Sequence, residues 1–368
     1  MYLSMIKFKL WIIVGALLAV ASCAEKSVKD QEIDLINKVA TWQMNNFPDT
    51  IAPKAGWVHA ALYRGLIEWG EYQKSEEIDK FLISVGEDLD WGMLDRVYDA
   101  DDLCIGQTYI RLYKRYNRAE MIEKVCDRVD FIIQNPLTGS LRTEKNKPYR
   151  DRWGWCDALF MGPPVYAQLY KLKGDEKYLD FCFSEFQVTC DSLYDRENHL
   201  FTRDLRFIND KEANGRKVFW SRGNGWVYSG LTFMLNDVPE WHVSYNYYLT
   251  LYKEMTDAII ACSDENGSWH ASMFDLEAYP HPENSASGFF VHGLAWGINN
   301  NILDKNKYLP IVQKSWNTLK SHVNEDGKLG YVQPIGHAPK MISSEMTAPY
   351  GVGAFLLAAT EITKLDHP

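Results

Sequence analysis

The chain has 368 residues, a formal net charge of −10 and an aromatic content of 14%. Binding to nucleic acid needs a basic surface that neutralises phosphates, so this acidic balance argues against a nucleic-acid partner. The nine histidines include no HExxH motif and no pair four residues apart, and a zinc site is therefore not predicted.

The first 22 residues have the layout of an export signal. Two lysines precede an apolar stretch at residues 10–20, which is short for a membrane span. The stretch ends in Val20-Ala-Ser-Cys23, which resembles the lipobox of bacterial lipoproteins. The resemblance implies a lipidated Cys23 and an exported protein, held on a bacterial membrane by its acyl chains alone, at the periplasmic side or the cell surface. An ordinary signal peptide cleaved near Ala24 and a core segment are the alternatives.

No linker rich in proline, glycine or serine divides the rest of the chain. We therefore expect a tether over residues 23–35 and a single large domain over residues 36–368. Six further cysteines lie mostly in helix-like runs and are interpreted as small buried hydrophobic residues. They are Cys104, Cys126, Cys156, Cys182, Cys190 and Cys262. A Cys182–Cys190 disulfide is the alternative.

Apolar residues recur at helical spacing through this domain. Ile105, Tyr109, Leu112 and Tyr116 form one such stripe, and residues 308–323 contain another. The alternation that is typical of strands is hard to find. The domain is therefore predicted to be mainly α-helical.

A weak repeat indicates how the helices are arranged. Residues 117–122, 174–179 and 304–309 each break one helix and begin the next with a bulky residue followed by an aliphatic one. Their spacing gives a unit of roughly 60 residues, which holds two helices, and about six such units fit in the domain. Six helical hairpins closed into a ring form an all-α (α/α)6 barrel. An open solenoid of helix pairs is the alternative.

One carboxylate has unusual neighbours. Asp157 follows Trp153-Gly-Trp-Cys156 and precedes Ala-Leu-Phe-Met-Gly-Pro-Pro164. Loss of hydration among such residues raises the pKa of a carboxyl group toward the range of a general acid. The alternative is that Asp157 only caps a helix that begins at Ala158.

Four clusters of unusual residues fall at predicted helix starts, where a helical barrel collects its active site: residues 56–59, 100–102, 155–157 and 220–226. In the last cluster Arg222 lies between Trp220 and Trp226. A guanidinium can hold a carboxylate through two hydrogen bonds while indoles stack on a sugar ring, so this cluster predicts a clamp for an acidic sugar. A structural turn with Arg222 in a surface ion pair is the alternative.

Four motifs in a fixed order resemble those of the unsaturated rhamnogalacturonyl hydrolases of glycoside hydrolase family 105, which are akin to unsaturated glucuronyl hydrolases. The motifs begin at Trp155, Gly174, Phe219 and Tyr350. The resemblance implies an (α/α)6 barrel that acts in the degradation of pectin-type polysaccharides. It also implies removal of the 4,5-unsaturated uronic acid that a lyase leaves at the non-reducing end of an oligosaccharide. Protonation at C4 and hydration at C5 would need no metal or other cofactor.

The resemblance assigns roles to residues. Asp157 matches the family's catalytic aspartate and Asp102 its second aspartate, and the adjacent Asp101 is a competing choice for that second role. The candidate substrate-binding residues are Arg222, Trp220, Trp226, Trp57, His59, Arg203 and Asp101. The sequence departs from the family at two places that concern the subsite of the neighbouring sugar. Thr202-Arg203 stands where many relatives have a histidine, and residues 146–152 lack another.

Two other functions stay open. One is a conventional glycosidase or a sugar epimerase on the same barrel. An epimerase would want paired histidine bases, for which His59, His199 and His292 are the candidates. The other is a glycan-binding lipoprotein without catalysis, for which aromatic side chains would suffice.

Overall fold

A computed structural model describes residues 27–47, 52–139, 141 and 152–365. Within these residues the chain is mainly helical, which confirms the predicted class. The helices are α1 (Val28–Asn45), α2 (Trp57–Gln73), α3 (Glu76–Asp88), α4 (Ala100–Leu103), α5 (Gly106–Tyr116), α6 (Glu123–Gln134), α7 (Ala158–Met161), α8 (Pro163–Lys173), α9 (Lys177–Leu193), α10 (Ser221–Asp237), α11 (Val243–Ala261), α12 (Asn284–Asn299), α13 (Lys305–Ser321) and α14 (Pro349–Leu365). A 3-10 turn, Ala119–Met121, precedes α6, and the short strands β1 (Tyr194–Asp195) and β2 (Leu200–Phe201) pair antiparallel.

The boundary between two compact units falls inside α1, after Lys38. All later helices belong to the unit that begins at Val39. The predicted signal segment, with Cys23, lies outside the described residues. The division into signal, tether and domain therefore stays a prediction. In the described part of the chain, no helix combines the length and the apolar character needed to cross a membrane.

Six helices of the larger unit close into a ring. Neighbouring members contact each other in the order α2, α5, α8, α10, α12 and α14, and α14 returns to contact α2. Four more helices pack on the ring member that precedes them in the chain: α3, α9, α11 and α13. The closed ring confirms the (α/α)6 barrel and rules out the open solenoid.

Ring helices and outer helices differ in how much of their surface is buried. Every residue of α12 from Asn284 to Ile298 is buried, because a ring helix has neighbours on all sides. Helix α13 lies outside the ring and buries one stripe that includes Tyr308, Val312 and Trp316. This stripe is the one that the spacing of apolar residues predicted.

The ring closes where α14 meets α2, and two glycines allow the contact. A Cβ atom on Gly65 would lie 2.3 Å from the carbonyl oxygen of Gly353, and one on Gly353 would lie 2.3 Å from that of Ala61. The two helices therefore touch backbone to backbone, and a larger residue at either position would force them apart.

The predicted helix breaks also occur where the repeat placed them. Asn117 and Gly174 end α5 and α8 with positive φ angles of 51° and 71°, a conformation that suits asparagine and glycine. Asp304 caps α13 by accepting a hydrogen bond from the backbone N–H of Asn306. The six cysteines of the described residues are free thiols, so the alternative of a Cys182–Cys190 disulfide is wrong.

Candidate active site

A cavity of about 240 Å³ opens at the end of the ring where α2 and α10 begin. It collects residues from all four clusters at helix starts, from the turn after β2, and from the long connection between α13 and α14. The lining residues are Trp57, Asp101, Trp155, Asp157, Met161, Arg203, Trp220, Trp226, Ile335, Gly336, His337 and Lys340.

Asp157 is the buried carboxylic acid of this cavity. Its exposed fraction is 9%, and it makes no side-chain hydrogen bond to the start of α7, so it does not act as a side-chain cap. The Sγ atom of Cys156 donates to Oδ1 of Asp157 at 3.4 Å. Burial raises the pKa of Asp157, and the nearby charge of Arg203 opposes part of that rise. A raised pKa keeps a proton on the carboxyl group at higher pH, as a general acid requires.

Gly223 makes room for this acid in the first turn of α10. A Cβ atom on Gly223 would lie 3.1 Å from Sγ of Cys156, 3.3 Å from Cε3 of Trp220 and 3.5 Å from Oδ1 of Asp157. The absence of a side chain at Gly223 therefore lets α10 approach Asp157 closely.

The structure separates Asp101 from Asp102. Asp101 lines the cavity and is 7% exposed. Asp102 is fully buried and accepts hydrogen bonds from the backbone N–H and Nε of Arg96, at 3.0 and 3.3 Å. The carboxylate of Asp102 is thus bound to Arg96 and does not line the cavity. The geometry therefore favours Asp101 over Asp102 as the second acid. Asp99 caps α4.

Arg203 contributes a cation next to Asp157. Its guanidinium lies over the ring of Trp155, with Cζ 3.3 Å from the centroid, and its Nη1 donates to Asp204 at 2.7 Å. Nε of Arg203 lies 3.9 Å from Oδ2 of Asp157 and has no hydrogen-bond partner among the described residues. A buried donor without a partner is costly, so Arg203 is suited to receive an acidic ligand.

Arg222 lies elsewhere than predicted. It is fully buried, and it donates from Nη1 to the carbonyl oxygen of Gln333 at 2.6 Å and from Nη2 to that of Pro334 at 3.1 Å. Its guanidinium lies between the rings of Trp220 and Tyr350, 4.4 and 4.7 Å from their centroids. Arg222 does not line the cavity, so the geometry argues against its predicted contact with a substrate carboxylate. Its donors instead hold Gln333 and Pro334, which begin the stretch of residues 333–340 that is called the rim segment below.

The candidate histidines lie away from the cavity. His59 is buried against Phe47, with ring centroids 4.4 Å apart, and its Nδ1 lies 3.2 Å from the carbonyl oxygen of Pro53. This position is at odds with the predicted role of His59 in substrate binding. His199 and His292 also lie outside the cavity lining, so no pair of these histidines faces a ligand there as an epimerase would need.

Four indoles form the apolar walls: Trp57, Trp155, Trp220 and Trp226. Trp57 stacks on Tyr350 with centroids 5.3 Å apart and meets the edge of Trp226 at 6.2 Å. Nε1 of Trp220 donates to the side chain of Gln333 at 3.2 Å. The walls are held by neighbouring rings and a hydrogen bond, and flat faces of this kind suit sugar rings.

Sequence reasoning missed Met161 and the cavity residues of the rim segment, which are Ile335, Gly336, His337 and Lys340. The rim segment belongs to a long connection between α13 and α14 and contains two prolines and a glycine. Long loops that carry unusual residues are often functional, and that was the available signal. Within the described residues, no group of three or more histidine, cysteine or acidic side chains could hold a metal ion.

A closed ring of helical hairpins, with a buried carboxylic acid among indoles at its mouth, is the framework of a glycoside hydrolase. The model of Glycosyl Hydrolase Family 88 matches residues 35–366, and the chain belongs to this family. It is 34% identical to unsaturated 3S-rhamnoglycuronyl hydrolases of Alteromonas sp. (strain LOR) and Formosa agariphila, over 92% and 97% of this chain and 88% and 97% of theirs. A solved structure described as glycosyl hydrolase family 88 from Bacteroides vulgatus is 28% identical, with a TM-score of 0.82 over 92% of this chain and 99% of that chain. These findings confirm the resemblance seen in the motifs.

Proposed function

We propose that this glycoside hydrolase removes a 4,5-unsaturated uronic acid from the non-reducing end of lyase-generated oligosaccharides. The observation that carries the proposal is the pairing of one buried acid, Asp157, with the unsatisfied donor of Arg203 in an indole-lined cavity. The two 34% identical relatives, both named as unsaturated rhamnoglycuronyl hydrolases, support it.

The chemistry follows from the double bond between C4 and C5, which makes the sugar a vinyl ether. Asp157 gives its proton to C4, and water adds to the cationic carbon that forms at C5. The resulting hemiketal opens and expels the neighbouring sugar. Attack at C1, for which ordinary glycosidases place two carboxyl groups on either side of the bond, is not needed. Asp157 can act first as an acid and then as a base toward the water.

The charged residues divide the remaining tasks. Arg203 donates to the carboxylate of the uronyl group, because it lines the cavity beside Asp157 and its Nε has no hydrogen-bond partner among the described residues. Asp101 accepts from the attacking water or from a sugar hydroxyl. The indoles exclude bulk water and stack on the ring, which strengthens the interactions of both charged groups.

We also propose that rhamnose is the sugar expelled, since both relatives are rhamnoglycuronyl hydrolases. A source in pectin stays a prediction from the sequence motifs. Residues 20–23 support a lipid anchor at Cys23, and Cys23→Ala in the full chain tests it. The wild type should partition into detergent and incorporate labelled fatty acid, whereas the variant should do neither.

Loss of ultraviolet absorbance from the double bond measures the activity directly. An unsaturated disaccharide should be hydrolysed, whereas the saturated disaccharide of the same structure should only inhibit, since its C4 cannot accept a proton. Asp157→Asn should lower turnover by roughly 10²- to 10⁴-fold, the range of general acid catalysis, and still bind the saturated compound. Asp191→Asn is the matched control, because Asp191 is 69% exposed and outside the cavity. Efficient cleavage of the saturated compound would identify a conventional glycosidase instead.

A further inference from the structure

We propose that Cys156 is a positioning residue for the proton transfer. Its thiol holds Oδ1 of Asp157 by a hydrogen bond and so leaves Oδ2 as the oxygen that carries the proton to the substrate. The inference rests on the proposed function, because it takes C4 of an unsaturated uronyl group as the proton acceptor. It gives separate tasks to the two oxygens of the acid.

The two oxygens of Asp157 have different surroundings. Oδ1 accepts from Sγ of Cys156 at 3.4 Å, and a Cβ atom on Gly223 would lie 3.5 Å from it. Oδ2 lies 3.9 Å from Nε of Arg203, which lines the cavity. Within the described residues no other group donates a hydrogen bond to this carboxyl group. Oδ1 is thus held by Cys156 against α10, and Oδ2 is left for the ligand.

The thiol of Cys156 is a constant and well-placed donor. It is fully buried, and burial together with the charge of Asp157 raises the pKa of this thiol well above its usual range. The thiol therefore keeps its proton across the neutral range. Its backbone is fixed as well, because the N–H of Cys156 donates to the carbonyl oxygen of Arg203 at 2.9 Å and Trp155 forms an antiparallel bridge with Asp204.

A donor at one oxygen determines which oxygen is protonated. In a carboxylic acid the carbonyl oxygen is the better acceptor, so the thiol at Oδ1 favours the form with the proton on Oδ2. The O–H bond at Oδ2 breaks as the π electrons of the C4–C5 double bond form the new C4–H bond. The positive charge then lies on C5 and the ring oxygen, and Asp157 becomes a carboxylate. Water that adds at C5 gives up a proton, which Asp157 accepts to become an acid again.

A thiol suits this task better than a hydroxyl group. A hydrogen bond to a carboxylate stabilises the charged form and so lowers the pKa of the acid. The S–H group is a weak donor. Cys156 can therefore orient the carboxyl group of Asp157 at little cost to the affinity of that group for its proton.

The charged groups around Asp157 act on it without a hydrogen bond. Burial raises the pKa of Asp157, the charges of Arg203 and Arg222 lower it, and the charge of Asp204 raises it. Orientation by direct contact is thus left to Cys156. The other titratable residues that line the cavity are Asp101, His337 and Lys340.

Two substitutions at Cys156 should move the pH profile in opposite directions. The assay follows absorbance loss from an unsaturated uronyl-rhamnose disaccharide across a broad pH range. Cys156→Ala removes the donor, so the pKa of Asp157 should rise and the alkaline decline of kcat/KM should move to higher pH. Cys156→Ser supplies a stronger donor, so this decline should move to lower pH. At the pH optimum Cys156→Ala should lower kcat roughly two- to tenfold, the range of one hydrogen bond, with little change in KM, and Cys156→Ser should lower it less.

Cys190→Ala and Cys190→Ser are the matched controls, because Cys190 is 1% exposed on α9 and lies outside the cavity lining. Both make the same changes in the core away from the catalytic acid, and both should leave the pH profile in place. Each variant of Cys156 has its own expected direction, so one folded variant is enough for the test. Shifts in the same direction, or no shift, would overturn the positioning role and leave the proposed function intact. If the wild type hydrolysed no unsaturated uronide, the proposed function itself would fail.

Discussion

Replacement of Arg203 by glutamine tests the electrostatics of the cavity. Glutamine keeps a planar polar side chain but removes the charge and the donor Nε that faces Asp157 at 3.9 Å. The turn that carries Arg203 should survive, because Asp204 keeps its two hydrogen bonds from Arg206, at 2.9 and 2.8 Å. Any change in activity can therefore be assigned to the cavity.

Two effects are expected for Arg203→Gln. A hydrogen bond to a charged group contributes about 1.5–3 kcal/mol, so kcat/KM should fall roughly 10- to 150-fold, mainly through a higher KM. The charge of Arg203 also lowers the pKa of Asp157, against the larger effect of burial. Without that charge the pKa of Asp157 rises further. A general acid works in its protonated form, so the alkaline decline of kcat/KM should move to higher pH.

Initial rates of absorbance loss, measured at several substrate concentrations across a broad pH range, give both KM and the pH at which kcat/KM declines. Arg206→Gln serves as control, because Arg206 does not line the cavity and Asp204 keeps its hydrogen bond from Nη1 of Arg203, at 2.7 Å. If Arg203→Gln left KM and the alkaline limb where they are in the wild type, Arg203 would neither bind the carboxylate nor influence the acid.

Two further predictions concern buried residues of the ring helices α10 and α12. In Gly223→Ala the new Cβ would lie 3.1 Å from Sγ of Cys156, so Asp157 should be displaced and turnover should fall roughly tenfold or more. The double variant Gly223→Ala/Cys156→Ala should recover part of the turnover. No recovery would mean that the contact between residues 223 and 156 is unimportant. Burial lowers the pKa of His292 from 6.5 to about 3, so the unfolded chain binds the proton more readily between these values and the fold loses stability as pH falls below 6.5. Thermal melts between pH 7 and pH 4 should show a loss of up to about 1.4 kcal/mol per pH unit from this histidine, and His292→Gln should melt with a shallower pH dependence; equal slopes would contradict the assignment.

Sequence patterns predicted those features that depend on residues close together in the sequence. Helical spacing and the breaks at Asn117 and Gly174 predicted the hairpins, whereas the closed ring was implied by the family resemblance. The residues that flank Asp157 predicted a carboxyl group with little hydration, and Asp157 is buried in the cavity. In each case the relevant information lies within a few residues of the feature.

The parts that were missed depend on side-chain direction and on distant contacts. Arg222 and Arg203 both lie close to tryptophans, but only the fold shows that Arg222 turns toward a carbonyl oxygen 111 residues away. The same long-range contact places the rim segment over the cavity, and this is why His337 and Lys340 escaped notice. Asp101 and Asp102 are adjacent in sequence, and only the position of Arg96 distinguishes them.

The seam between α2 and α14 has a consequence for biosynthesis. Tyr72 and Thr363, which share a hydrogen bond of 3.5 Å across it, are 291 residues apart. The apolar surface of α2 therefore gains α14 as a neighbour only after the residues between the two helices have been synthesised. Contacts of such long range slow folding, and partly made chains expose surfaces that aggregate. Association of α14 with α2 is thus a late step of folding, and a chain without α14 should expose the apolar surface of α2 and aggregate more readily.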